Sequence, residues 1–196
     1  MLARFLTMLI AAFAVPAAAQ TPAASTSNSR SATTQSLEGL WTLKIDDVVI
    51  FAFRLTPVDR AWTGLWVRPA SFASDGALFT RVEGPATAVQ ASSVQTVGEW
   101  MELTFNDPRP GAVPDVFRLR SLPGGKVEAL YVGTGFAPIT LERGTDDTKI
   151  GPWPIGKTYR RPGVTAAPGS AVVTFSSPPS TVTNTPSPER PATIGR

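Results

Sequence analysis

Apolar and polar residues alternate at period two through most of residues 37–143, the spacing of strands that bury one face. Residues 40–45 put Trp41, Leu43 and Ile45 on one side and Thr42 and Lys44 on the other. Asp46-Asp47 leads tightly into 48–55, where Val49, Phe51, Phe53 and Leu55 share a face. The sequence PVDR at 57–60 turns the chain into 61–67, which carries Trp62, Gly64 and Trp66 at period two. Pro69, Asp75 and Gly76 mark a longer loop before a strand at 78–82, and 85–97 reads as one weakly patterned strand and a loop. Alternation returns at 99–105, where Met101, Leu103 and Phe105 oppose Trp100, Glu102 and Thr104, and at 116–120, where Phe117 and Leu119 oppose Arg118 and Arg120. The turn Pro123-Gly124-Gly125 then precedes strands at 126–132 and 136–142. No window repeats apolar residues at helical spacing over three turns, so no long helix is expected. Short strands joined by tight turns predict an all-β fold, a small antiparallel up-and-down barrel of about eight strands with no unpaired edge.

The flanks are of a different character. Arg4, an apolar run over 5–15 and Ala17-Ala18-Ala19 stand in the order of a secretory signal peptide over 1–19, which predicts export to the periplasm or beyond. The run is too short to cross a bilayer core of roughly 30 Å, and no cysteine follows it to carry a lipid, so a soluble mature protein is expected. Residues 20–36 read as a flexible lead-in, 37–143 as the β-barrel domain, and 144–196, rich in Pro, Ser and Thr, as an extended to disordered tail. A short patch at 171–175 has β character but no evident partner strand.

Composition narrows the chemistry. The chain contains neither cysteine nor histidine, which excludes disulfides, thiolate nucleophiles, Ser-His triads and His-ligated zinc. The formal charge of +3 is a property of the flanks: residues 37–143 carry ten basic and twelve acidic residues, whereas 144–196 carry six and three. A folded part without a basic face does not fit nucleic acid as a partner. No catalytic motif appears, and no metal or cofactor is expected. Glu99 and Glu102 fall on opposite strand faces, and Asp46-Asp47 and Asp146-Asp147 lack the spacing of a calcium loop.

Three groups of residues remain as candidates. Gly39 lets the backbone turn in where the first strand starts, Trp41 then lies across the barrel floor, and Arg143 after the last strand stacks on its indole. With Gly39-Leu40-Trp41 as a Gly-x-Trp and Arg143 as the closing basic residue, residues 37–143 resemble the lipocalin-like, or calycin, barrels. The resemblance implies that these residues close the barrel and do not bind ligand. The chain departs from that family at Asp107-Pro108-Arg109, in place of a Thr-Asp-Tyr type motif, and at Gly151-Pro152-Trp153-Pro154, which forbids the family's C-terminal helix. The second group is aromatic and apolar: Trp41, Phe51, Phe53, Trp66, Met101, Phe105 and Tyr131 either line a cavity for an apolar ligand or fill the core. The third is Arg54, Arg118 and Arg120, read either as an anion site or as a solvated face paired with Glu99, Glu102 and Glu128.

Three functions follow as expectations. The first is an exported, non-enzymatic module that binds a small apolar ligand. The second is an envelope protein–protein interaction module or inhibitor with a filled core. The third is an isomerase- or cyclase-like enzyme working through Glu, Asp or Arg in a barrel mouth.

Overall fold

A computed structural model describes residues 37–107, 109–168 and 172–176; the signal and lead-in segments and residues 177–196 lie outside the described residues. The nine longer strands are β1 Gly39–Ile45, β2 Val48–Val58, β3 Ala61–Ser74, β4 Leu78–Gln90, β5 Ser93–Val97, β6 Trp100–Phe105, β7 Asp115–Leu122, β8 Lys126–Tyr131 and β9 Ile139–Arg143. Two short strands follow, β10 Tyr159–Arg160 and β11 Val173–Ser176, and no helix occurs among the described residues. The turn residues explain the hairpins. Asp46 and Asp47 adopt φ of 50° and 62° between β1 and β2, as a two-residue primed turn that follows the strand twist requires.

All pairings are antiparallel, in the order β10-β4-β3-β2-β1-β9-β8-β7-β6-β5, with β11 added to β3. The all-β antiparallel expectation therefore holds. The expected closed barrel of about eight strands is corrected: the sheet has eleven strands and is not closed. The physical reason lies at Ala91-Ser92, where the chain bends from one neighbour to another. Ala91 N donates to Gly64 O of β3 at 2.8 Å, and Ser92 N donates to Thr104 O of β6 at 2.7 Å. The bend thus carries the chain from β4 to β5 without a ladder between them, and the strand path stays open. Gly64 permits the approach, because a Cβ there would lie 2.8 Å from Leu103 Cδ2.

β3 and β4 run much further than alternation suggested. Pro69, read as a loop marker, lies inside β3, and Pro85, at the start of the weakly patterned stretch, lies inside β4. Pro69 is tolerated because the β3–β4 register shifts on either side of Ser71, and bulges accommodate a residue without a ladder donor while bending the strand. Residues 85–97 form the rest of β4 together with β5, not one strand and a loop.

The described chain beyond Arg143 packs back on the sheet, at positions that composition had suggested were extended to disordered. Trp153 Nε1 donates to Val49 O at 3.1 Å, Tyr159 pairs with Phe79 and is wholly buried, and Phe175 pairs with Phe72. Each aromatic ring buries enough apolar surface to offset ordering of its short segment. The core is the concave side of the sheet, where Phe51, Phe53, Trp66, Phe105 and Phe117 make edge-on, tilted and stacked contacts with one another.

Candidate functional site

Gly39, Trp41 and Arg143, expected to close a barrel, meet at the β1–β9 pairing within a sheet that stays open. Trp41 stands directly opposite Arg143 in the β1–β9 register. The Arg143 guanidinium carbon lies 4.3 Å from the Trp41 ring centroid, its Nη1 donates to Glu38 O at 2.8 Å, and the indole Nε1 donates to Leu37 O at 2.7 Å. Gly39 has φ of 110°, and a Cβ there would collide with the Arg143 guanidinium. Glycine is required twice over, by conformation and by space.

The outer arginines do not form one site. Arg54 on β2 is separated from Arg118 and Arg120 on β7 by β1, β9 and β8. Each has a carboxylate: Arg54 meets Asp146 at 2.9 Å, Arg118 meets Glu102 at 2.8 Å, and Arg120 meets Glu99 and Glu128, both at 2.6 Å. Arg118 and Glu102 are cross-strand neighbours, as are Arg120 and Glu128. The hydrogen bond from Arg118, with a second from Gln95, holds the Glu102 carboxyl below its ordinary range. This is a paired, solvated face.

Six of the seven residues assigned to the interior, all but Tyr131, are buried in the core. They leave little room between them. The apolar void bounded by Phe51, Trp66, Phe72, Phe79 and their neighbours has a volume of only about 20 Å³, enough for about one water molecule. Phe51, Trp66 and Tyr131 border it, whereas Trp41, Phe53, Met101 and Phe105 do not.

Beside the void lies a larger and polar space of about 280 Å³, and Tyr131 and Phe175 wall both. Arg68 of β3, Asp107 and Arg109 of the β6–β7 loop, Asp115 of β7 and β11 complete it. Arg68 continues the inward series Gly64-Trp66-Arg68 and is only 8 % exposed. Its guanidinium carbon lies 5.1 Å from the Trp66 ring centroid and 5.5 Å from that of Phe175, and its Nη1 donates to Pro69 O at 2.9 Å and Ala70 O at 3.4 Å. Its Nε is buried with no acceptor, and so is Nε1 of Trp66 two residues before it. Buried donors are nearly always paired, so two orphans on one strand face mark this place.

The remaining charges of the pocket are committed to one another. Asp107 is bound by Arg109 through side chain and backbone, which holds its carboxyl down at about 2. The Tyr131 hydroxyl donates to Asp115 Oδ1. Burial raises the Asp115 carboxyl above its ordinary value, with the Tyr131 hydrogen bond and Arg68 opposing. Burial, reinforced by Asp115, raises the Tyr131 phenol. Burial also lowers the Arg68 guanidinium, against the pull of Asp115 and Asp107. The arrangement can accept an anion or an acceptor-rich group at Arg68, and it holds a carboxyl–phenol pair able to take up a proton.

The sequence reading missed Arg68, Asp107, Arg109 and Asp115 as a group, and placed Tyr131 among apolar walls. One signal for Arg68 was present: an arginine in register with Gly64 and Trp66 on an inward face. No protein-family model matches the chain, no curated protein is similar to it, and no solved structure matches it.

Proposed function

We propose that the protein is an exported, lipocalin-like binding module whose small-molecule ligand sits in the polar mouth bounded by Arg68, Asp115 and Tyr131. The observation that carries this reading is the contrast in room: about 280 Å³ at Arg68 against about 20 Å³ in the apolar interior. The first figure approaches the roughly 300–1,000 Å³ typical of ligand pockets. An apolar ligand held among Trp41, Phe53, Met101 and Phe105 has no space in this conformation, so the apolar-ligand expectation narrows to the aromatic and aliphatic walls of the mouth. The export part of the proposal rests on residues 1–19 and is tested by the intact mass of the secreted protein, expected to begin at Gln20.

The five tryptophans, with Trp66 against Arg68, give an intrinsic emission that reports binding. Titrating the purified protein with a panel of charged and neutral small aromatic and aliphatic compounds should give saturable, one-to-one fluorescence changes. Ala112→Trp, in the loop wall of the pocket, should weaken the same binding read by calorimetry, since the added indole itself fluoresces. A panel that leaves the emission unchanged, or binding indifferent to Ala112→Trp, would refute the reading.

A second reading is favoured by one observation, the raised Asp115 carboxyl hydrogen-bonded to Tyr131 beside open space. In it the mouth performs acid–base chemistry on what it binds, with Asp115 passing the proton. Turnover of a bound ligand that disappears in Asp115→Asn while binding persists would select it over simple binding.

A further inference from the structure

We infer that the Arg68 pocket is a monocarboxylate site: it takes a small organic acid of one negative charge with a compact apolar body. The inference rests on the small-molecule reading above and adds the chemical class of the ligand.

The argument begins with what Arg68 lacks. A guanidinium has five donors; Nη1 of Arg68 is occupied by two carbonyls of its own strand, and Nε is buried without an acceptor. Among the described residues no carboxylate forms an ion pair with Arg68, while Lys44, Arg54, Arg109, Arg118, Arg120 and Lys126 all have one. Asp115 and Asp107 act on it only through their fields, each already engaged by its own donor. A cation 8 % exposed with no contact anion is an unfavourable arrangement unless something completes it. The Nη2 donors of Arg68 remain, and an anionic oxygen such as a carboxylate's completes them with a charge-assisted hydrogen bond. The Trp66 and Phe175 rings beside the guanidinium and the two carbonyls on Nη1 hold it in place before any ligand arrives.

The number of charges follows from the rest of the wall. Arg109 is paired with Asp107 and Asp115 accepts from Tyr131, so Arg68 is the one cation of the pocket without a contact carboxylate. A second negative charge on the ligand would lie near two carboxyl groups. Phosphate and other dianions are thereby disfavoured. Val113, Val173 and the Phe175 and Tyr131 rings supply apolar wall for a short body, and the limited volume excludes long acyl chains.

The test compares isosteres on the purified protein at neutral pH by calorimetry, with intrinsic tryptophan fluorescence beside it: benzoate and hexanoate, their uncharged amides, and inorganic phosphate. The acids should bind about tenfold or more tighter than the amides, the range that a charged hydrogen-bond partner confers, and phosphate should bind least. Arg68→Gln should abolish the preference for acid over amide, and Arg68→Lys should keep part of it. Ala112→Trp should weaken acids and amides alike without touching Arg68, which keeps the test valid if the Arg68 variants misfold. Amides that equal the acids, with both weakened by Ala112→Trp, would leave the pocket standing and overturn the carboxylate class. Phosphate binding tighter than the acids, or a preference that survives Arg68→Gln, would overturn it as well. Absence of any binding would overturn both the class and the pocket.

Discussion

Arg68 and Arg161 are both buried, 8 % and 6 % exposed, and burial lowers the pKa of both, yet they do opposite things. Arg161 donates to Gly76 O at 2.6 Å, to Ala137 O at 3.1 Å and to Pro138 O. It thereby fastens the β3–β4 turn to the approach of β9. Arg68 donates only to Pro69 and Ala70 in its own strand and keeps a buried Nε without an acceptor. The Trp41–Arg143 contact repeats the contrast: Trp41 Nε1 has an acceptor, whereas Trp66 Nε1 beside Arg68 has none. A buried arginine whose acceptors come from distant parts of the chain is a structural fastener. One whose acceptors are local and incomplete keeps donor capacity open, and the proposed ligand site rests on that capacity.

If the Trp41–Arg143 contact is structural, its loss should be the most costly change. Trp41→Ala, a large-to-small change at a residue 2 % exposed, should destabilise by about 3–5 kcal/mol in urea or thermal melts. Arg143→Ala should cost less, and a double-mutant cycle should show coupling; additive losses would remove stacking from the account. Next comes Arg161→Met, which leaves three carbonyls without their donor and should cost about 1–3 kcal/mol or more. Arg68→Met should differ from the native protein by about 1 kcal/mol or less, or be more stable, because an apolar side chain replaces an incompletely paired buried charge. Equal losses for Arg161→Met and Arg68→Met would break the contrast on which the ligand reading rests.

The same pair shows what the sequence could disclose. The contact of Trp41 with Arg143 was legible because Gly39-Leu40-Trp41 and Arg143 are local signals at the ends of alternating runs. The outer face was legible in one of its two readings, since Arg118 and Arg120 alternate with apolar residues and carboxylates lie on neighbouring strands. Arg68 was hidden by Pro69, which read as the end of a strand that in fact continues to Ser74 through two register shifts. Phe175 was hidden by distance: its partner Phe72 lies about a hundred residues earlier, and no local pattern encodes so remote a pairing. The pocket joins β3, β7, β8, β11 and the β6–β7 loop, so its composition appears only once the strands are in register. Barrel closure was over-read because a bend at Ala91-Ser92 resembles, in sequence, an ordinary loop between strands.

The smallest expected effect concerns the proton rather than the packing, and it tests whether the mouth differs electrostatically from the outer face. Asp115 has a folded-state pKa raised by burial above its ordinary 3.8, so the folded protein binds this proton before the unfolded chain does. Between that raised value and 3.8, stability should therefore increase as pH falls. Glu102 behaves in the opposite sense: its pKa is depressed from 4.5, chiefly by Arg118, so its contribution is lost as pH falls below 4.5. Asp107, held at about 2 by Arg109, is lost lower still. Of these three shifted carboxylates only Asp115 is raised; around it burial lowers Arg68, while Arg109 and Tyr131 are raised. Urea midpoints measured from pH 7 down to 3.8 should rise for the native protein relative to Asp115→Asn, whose amide still accepts from Tyr131 but cannot titrate. A constant difference between the two would mean that Asp115 is an ordinary carboxylate. It would then stay charged near Arg68 and compete with an incoming anion across that whole range.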